Sequence, residues 1–116
     1  MPNNERPLRL LGLARRAGKA VVGAPLVFAT MHKGRPPALV LAAADASPAS
    51  LKKIRSQCEY YGVPLVETRY PKELLSRAVG KEGPVAAVAV TDTGLAEEIR
   101  KSSGKDAADP IGGEEN

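Results

Sequence analysis

Two uninterrupted apolar runs constrain this chain most: Ala38-Leu39-Val40-Leu41-Ala42-Ala43 and Val85-Ala86-Ala87-Val88-Ala89-Val90. Neither alternates between apolar and polar residues, as a strand with one wet face would. A strand that is apolar at every position is covered on both faces, and helices provide that cover. The segments between the runs carry helical spacings punctuated by Gly and Pro. Alternating helices and apolar strands specify an α/β domain, with helices on both faces of one sheet.

The spacing predicts a first helix from Pro7, a residue suited to an opening helical turn. Leu10, Leu11, Ala14 and Ala17 form its apolar stripe, and Gly18 ends it. Arg9 and Arg16 share its exposed face, with Arg15 beside them. Lys19-Ala20-Val21-Val22 reads as a short strand closed by Gly23. A second helix is expected from Ala24 to Lys33, with Pro25 near its start, Gly34 past its end, and Leu26, Val27, Thr30 and Met31 inward. After the Ala38–Ala43 run, Ser47 suits an N-cap and Pro48 the first helical position. Leu51, Ile54, Cys58 and Tyr61 then mark one buried helical face, and Gly62 terminates it. Val63 to Val66 is an expected strand, with Pro64 tolerated near its beginning. A fourth helix is expected from Pro71 to Val79. Thr91-Asp92-Thr93-Gly94 leads from the second apolar run into a last helix bearing Leu95, Ala96 and Ile99. Residues 102–116 are small and polar, acidic at their end, and read as a disordered tail. One domain over residues 1–101 remains.

The chain holds one Phe, three Tyr and no Trp, so its core must be aliphatic. So few rings argue against a single-strand binder built on stacking platforms. One cysteine, Cys58, precludes an internal disulfide or a cysteine-based zinc site, and one histidine, His32, precludes a His-rich metal site. Cys58 falls on the inner helical face, where a structural thiol is expected. His32 falls near a helix end on the polar side. Neither has partners for nucleophilic catalysis. The first seven residues lack the apolar core of a signal peptide, and no run approaches the ~18–20 apolar residues that cross a bilayer. The expectation is a cytoplasmic monomer without a membrane partner.

Charge is uneven. Ten of the seventeen Lys and Arg residues lie in residues 1–58, against only Glu5 and Asp45. One basic half suggests a polyanionic partner on one face, of which nucleic acid is the commonest. Lys52, Lys53 and Arg55 belong to either a second patch or a solvated helix face.

Two segments mimic catalytic motifs. Gly12 to Lys19 suggests a phosphate-binding loop, but five residues separate Gly12 from Gly18 where the motif has four. Ala20 follows the lysine in place of Ser or Thr, and the segment precedes a strand instead of following one. Asp92-Thr93-Gly94 spells the aspartic-protease triplet, which works only where two copies share a proton. A helix starting at Leu95 makes Asp92 or Thr93 an ordinary N-cap. No enzyme, metal or cofactor is expected.

Lys33-Gly34 followed by Leu39-Val40-Leu41-Ala42-Ala43-Ala44-Asp45-Ala46-Ser47-Pro48 closely resembles the ribosomal protein L7Ae and L30e superfamily of kink-turn RNA binders. Cys58-Glu59 through Gly62-Val63-Pro64 and Leu75-Ser76-Arg77-Ala78-Val79-Gly80 extend the resemblance over residues 8–100 or so. Leu13 to Lys19 and Gly80-Lys81-Glu82 are similar to its bacterial YlxQ-type branch. The resemblance implies a three-layer α-β-α sandwich with a mixed central sheet of about four strands.

That family binds RNA through Gly-x-Asn-Glu-x-x-Lys at the start of its second helix. The Glu accepts from a guanine edge and the Lys meets backbone. The matching positions here are Gly23, Ala24, Pro25, Leu26 and Ala29, and only the glycine is retained. A family acidic position corresponds to Ser47. Lys72 matches a lysine before the fourth helix, as a phosphate contact or a plain surface residue. The family's second contact loop corresponds to Gly80 through Val85, in which Lys81 can meet phosphate. Val85 either begins the next strand, the favoured reading, or touches a splayed base. The resemblance also places Lys19 next to Gly23 and makes Arg15, Arg16, Lys33 and Arg35 candidates for a surrounding basic rim. The implied function is non-enzymatic binding of structured RNA, rRNA or a kink-turn-like element, with relaxed specificity. The alternative is a protein-interaction module on the same fold that has lost RNA recognition.

Overall fold

The computed structural model describes residues 5–103. Five helices and four strands follow in the order α1 (Arg6–Arg16), β1 (Ala20–Val22), α2 (Ala24–His32), β2 (Leu39–Ala42), α3 (Pro48–Tyr61), β3 (Leu65–Glu67), α4 (Lys72–Ala78), β4 (Ala87–Val90) and α5 (Thr93–Ser103). The strands form one sheet in the order β1-β4-β2-β3. β4 runs antiparallel to both neighbours, pairing Ala20 with Val90 on one side and Leu39 with Val90 on the other. β2 and β3 are parallel, with Val40 opposite Leu65. The sheet is therefore mixed, as the resemblance implied.

The two apolar runs supply the central strands, and every residue of β2 and β4 is buried. Period-2 geometry divides their side chains between two cores. Leu39, Leu41, Val88 and Val90 pack with Leu11, Leu75 and Ile99, from α1, α4 and α5. Val40, Ala42, Ala87 and Ala89 pack with Val27, Met31, Ile54 and Cys58, from α2 and α3. Helices thus cover both faces, giving the three-layer sandwich.

Local signals set most boundaries. The Ser47 hydroxyl accepts the Ser50 N–H at 3.1 Å and caps α3. Gly62 closes that helix at φ 69° and ψ 32°, a left-handed conformation suited to glycine. The Asp92 carboxylate accepts the Leu95 N–H at 2.8 Å, so Asp92 caps α5 and the protease triplet is a helix start.

Four expectations need correction. β3 begins at Leu65 instead of Val63, because the Val63 N–H bonds to the Cys58 carbonyl at 2.8 Å and closes α3. Pro64 then offers only its carbonyl, which accepts the Val40 N–H at 3.0 Å. Val85 does not begin β4; it is buried in the core on the α1 side. Leu26 does not face inward but is 60% exposed, since Val27 and Met31 alone take the buried face of α2. Ser102 and Ser103 belong to α5 and not to a tail, and Ser103 is buried. The rest of the expected disordered tail lies outside the described residues. Among the described residues no helix is long and apolar enough to cross a membrane.

Candidate nucleic-acid interface

The C-terminal ends of β1 and β2, the N-terminal end of β4 and the start of α4 meet at one end of the sheet. Gly23 turns the chain from β1 into α2 at φ 98°, ψ 136°, a region open to glycine and strained for other residues. Its N–H donates to the Ala87 carbonyl at 2.9 Å, which pins the turn to β4. No side chain caps α2. The first intrahelical bond runs from the Val27 N–H to the Gly23 carbonyl at 3.0 Å. The Ala24 and Leu26 amides of the first turn stand outside that ladder, at the positive end of the helix dipole. Pro25 occupies the place between them and has no N–H.

Beside this turn, β2 runs out into Ala44-Asp45-Ala46-Ser47. The Ala43 N–H donates to the Ala86 carbonyl at 2.8 Å, and the Ala44 N–H to the Tyr70 carbonyl at 2.8 Å. Thr68, itself buried, braces the same end by donating its hydroxyl to the Ala42 carbonyl at 2.8 Å. Asp45 Oδ1 accepts the Lys72 N–H at 2.8 Å and thereby caps α4. Asp45, Lys72, Glu73, Ser76, Gly83 and Pro84 border a depression of about 360 Å³. Lys81 is exposed in the adjoining loop, which its own N–H anchors to the Ser76 carbonyl at 2.9 Å.

The structure therefore brings Gly23, Ala24, Pro25, Leu26, Ser47, Lys72 and Lys81 to one end. Lys19 is not with them. It precedes β1 while Gly23 follows it, and four steps of extended chain span ~13 Å. Lys19 instead holds the opposite end, where its carbonyl accepts the Thr91 N–H at 2.8 Å. Lys33 and Arg35 also belong to that opposite end, between α2 and β2. The last turn of α1 carries Arg15 and Arg16. Arg15 Nε donates to the Val79 carbonyl at 3.3 Å. The expected basic rim therefore does not surround Gly23: Lys19, Lys33 and Arg35 lie at the opposite sheet end, and Arg15 and Arg16 on the last turn of α1.

Other cations are committed. Arg55 makes a two-pronged pair with Glu67, at 2.8 Å from Nε and 2.7 Å from Nη2. That hydrogen bond, with the carboxylate's charge, raises the guanidinium's pKa further. Lys53 Nζ lies 4.7 Å above the Phe28 ring. Both side chains serve the helix surface. Burial pushes the Cys58 thiol up to about 11, so it is protonated and unreactive at neutral pH. His32 Nε2 lies 3.0 Å from Gln57 Oε1 on the surface. No group of three or more metal-ligating side chains exists among the described residues.

Sequence reasoning missed Asp45 as the α4 cap, since its partner lies 27 positions on. The one available signal was an acidic residue closing the apolar run that begins at Ala38.

The model of the ribosomal protein L7Ae/L30e/S12e/Gadd45 family matches residues 7–100. The chain belongs to that family. An RNA-binding protein YlxQ of Bacillus subtilis (strain 168) is 46% identical over 92 residues, 78% of this chain and 87% of the relative. An RNA-binding protein YlxQ of Enterococcus faecium is 30% identical over 99 residues, 85% of this chain and 92% of the relative. These relatives support placement in the bacterial YlxQ-type branch of the family. A Bacillus halodurans protein of unknown function superposes with a TM-score of 0.75 at 29% identity, covering 84% of this chain and 95% of that one. A Giardia lamblia 15.5kD RNA binding protein shares the fold, with a TM-score of 0.70 at 24% identity over 91% of this chain and 88% of that one.

Proposed function

We propose that this L7Ae-family chain is a non-enzymatic RNA-binding protein that takes structured RNA, rRNA or a kink-turn-like element, with relaxed specificity. It acts as a cytoplasmic monomer. The observation that carries this reading is the uncapped α2 N-terminus, whose amides share one sheet end with Lys72 and Lys81. Free amides and a positive dipole end favour phosphate, and two lysines at the same end of the sheet add positive charge. The names of the two YlxQ relatives support the same partner class.

Relaxed specificity follows from what the family positions hold. Leu26 has no side-chain acceptor for a guanine edge, and Ala29 has no cation for the backbone. A bidentate base contact supplies about 1–3 kcal/mol of discrimination, so its loss brings kink-turn and ordinary structured RNA closer together. Filter binding of a kink-turn hairpin and of an unrelated duplex, at two salt concentrations, tests this. Steep salt dependence with a small preference is expected. No binding of either RNA would refute it.

The 60% exposure of Leu26 favours a second reading. An apolar side chain at the reading end of α2 suits a protein surface, as in an interaction module that has lost RNA recognition. A protein partner retained after nuclease treatment, and lost with Leu26→Ser, would support that reading over RNA.

A further inference from the structure

A second basic surface lies outside the sheet end just described. α1 and α4 pack side by side on the other helical layer from α2, and a groove of about 470 Å³ runs between them. Arg9 and Arg16 reach it from α1, and Arg77 from α4. Glu5, at one end, is the single carboxylate among its lining residues.

Gly12 gives the groove its shape. A Cβ there would stand 2.9 Å from the Ala78 carbonyl oxygen, so only glycine lets the two helix backbones come this close. The same Cβ position is 3.6 Å from Arg16 Nη1. The Arg16 guanidinium therefore folds back along its own helix, towards the groove. Arg77 pairs with Glu73 at 3.0 Å, an exposed i,i+4 bridge of a weak type that a phosphate can displace. Leu8 and Leu74 add apolar walls, and no aromatic ring lines the groove.

From Glu5 to Arg16 the lining follows ~16 Å of helix, which is long for a single small anion. With no aromatic ring to stack on, and with guanidinium groups as its charged donors, the groove is suited to an extended phosphate backbone. It also continues from the family loop: Ala78 of the lining lies two residues before Gly80.

We infer that the α1–α4 groove is a second phosphate-backbone site, in which Arg16 and Arg77 hold an RNA strand that continues past the Gly80–Pro84 loop. This rests on the RNA-binding reading. It requires that both arginines contribute to affinity without contributing to sequence preference.

The test compares wild type, Arg16→Ala/Arg77→Ala and Arg16→Lys/Arg77→Lys, using the kink-turn hairpin and the unrelated duplex over a salt series. Both side chains are exposed, and unchanged thermal unfolding confirms that each variant folds. In the alanine variant the slope of log K against log salt should fall in magnitude by about 1.4–1.8, equally for both RNAs. The lysine variant should keep the wild-type slope. Wild-type slope and affinity in the alanine variant would overturn the groove site and leave the RNA-binding reading standing. Failure of wild type to bind either RNA would overturn both. NMR resonances of the Arg16 and Arg77 guanidinium groups that move with an oligoglutamate and not with RNA would assign the groove to an acidic protein segment, and the inference would fall.

Discussion

The Asp45 carboxylate accepts the Lys72 backbone N–H at 2.8 Å, and this one bond ties the loop after β2 to the first turn of α4. It joins two of the segments that make up the candidate interface. Pro71, the N-cap residue itself, provides no capping side chain, so Asp45 does that work from elsewhere in the chain. Asp45→Ala should cost about 1 kcal/mol, the usual loss for an N-cap. For a domain of this size that lowers the melting temperature by about 4–8 °C, which thermal unfolding by circular dichroism would show.

Restoring the family residues should restore discrimination. Pro25→Asn/Leu26→Glu/Ala29→Lys places an acceptor and a cation on the exposed start of α2 without touching Val27 or Met31. Preference for the kink-turn hairpin over duplex should rise by about 1–3 kcal/mol, roughly 5- to 150-fold. The carboxylate in the first helical turn is itself favourable. Competition titrations measure the ratio directly, and an unchanged ratio would show that α2 does not face the RNA.

Gly12→Ala should destabilise the fold. The glycine adopts no left-handed conformation, so helix propensity alone would favour alanine. Sterics oppose it, because the new methyl would lie 2.9 Å from the backbone oxygen of Ala78. Overpacking of this kind costs about 1–3 kcal/mol, visible as a lower urea midpoint with an unchanged slope.

Cys58 links stability to alkaline pH. Burial raises its pKa from 9.0 to about 11 in the folded state, so the folded chain holds the thiol proton more tightly than the unfolded chain. Stability is unaffected by this group below pH 9 and falls as pH rises from there towards 11. Urea unfolding of wild type at pH 8 and pH 10.5 should show the loss. Cys58→Ala, compared at the same two pH values, should lose less. Iodoacetamide should leave the native thiol unmodified at pH 8 and modify it in urea.

Much of the fold was legible because it rests on local chemistry. β2 and β4 announce themselves by lacking a polar face. Ser47, Gly62 and Asp92 mark their helix boundaries through bonds within a few residues of themselves. What escaped depended on distance or on competition. Asp45 and Lys72 meet only once the sheet is assembled. Pro64 satisfies a strand pattern by composition, yet the Val63 amide is already used by α3. Leu26 matches the apolar stripe of α2 by spacing, but its neighbour Val27 takes the buried position and leaves Leu26 facing solvent. The turn from Gly23 into α2 was legible in the sequence, and the placement of the cations around it was not. Lys19 and Gly23 are near neighbours in sequence and lie at opposite ends of an extended strand.

The core beneath α2 is made largely of methyl groups. Val40, Ala42, Ala87 and Ala89 share a core with Val27 and Met31, while the opposite core meets the same strands through Leu39, Leu41, Val88 and Val90. The β4 part of the floor beneath α2 is thus Ala87 and Ala89, two of the smallest side chains available. A bulkier residue at either would act as a shim beneath α2 and shift its uncapped N-terminus. The position of that helix end is thus set in part by residues that never touch solvent.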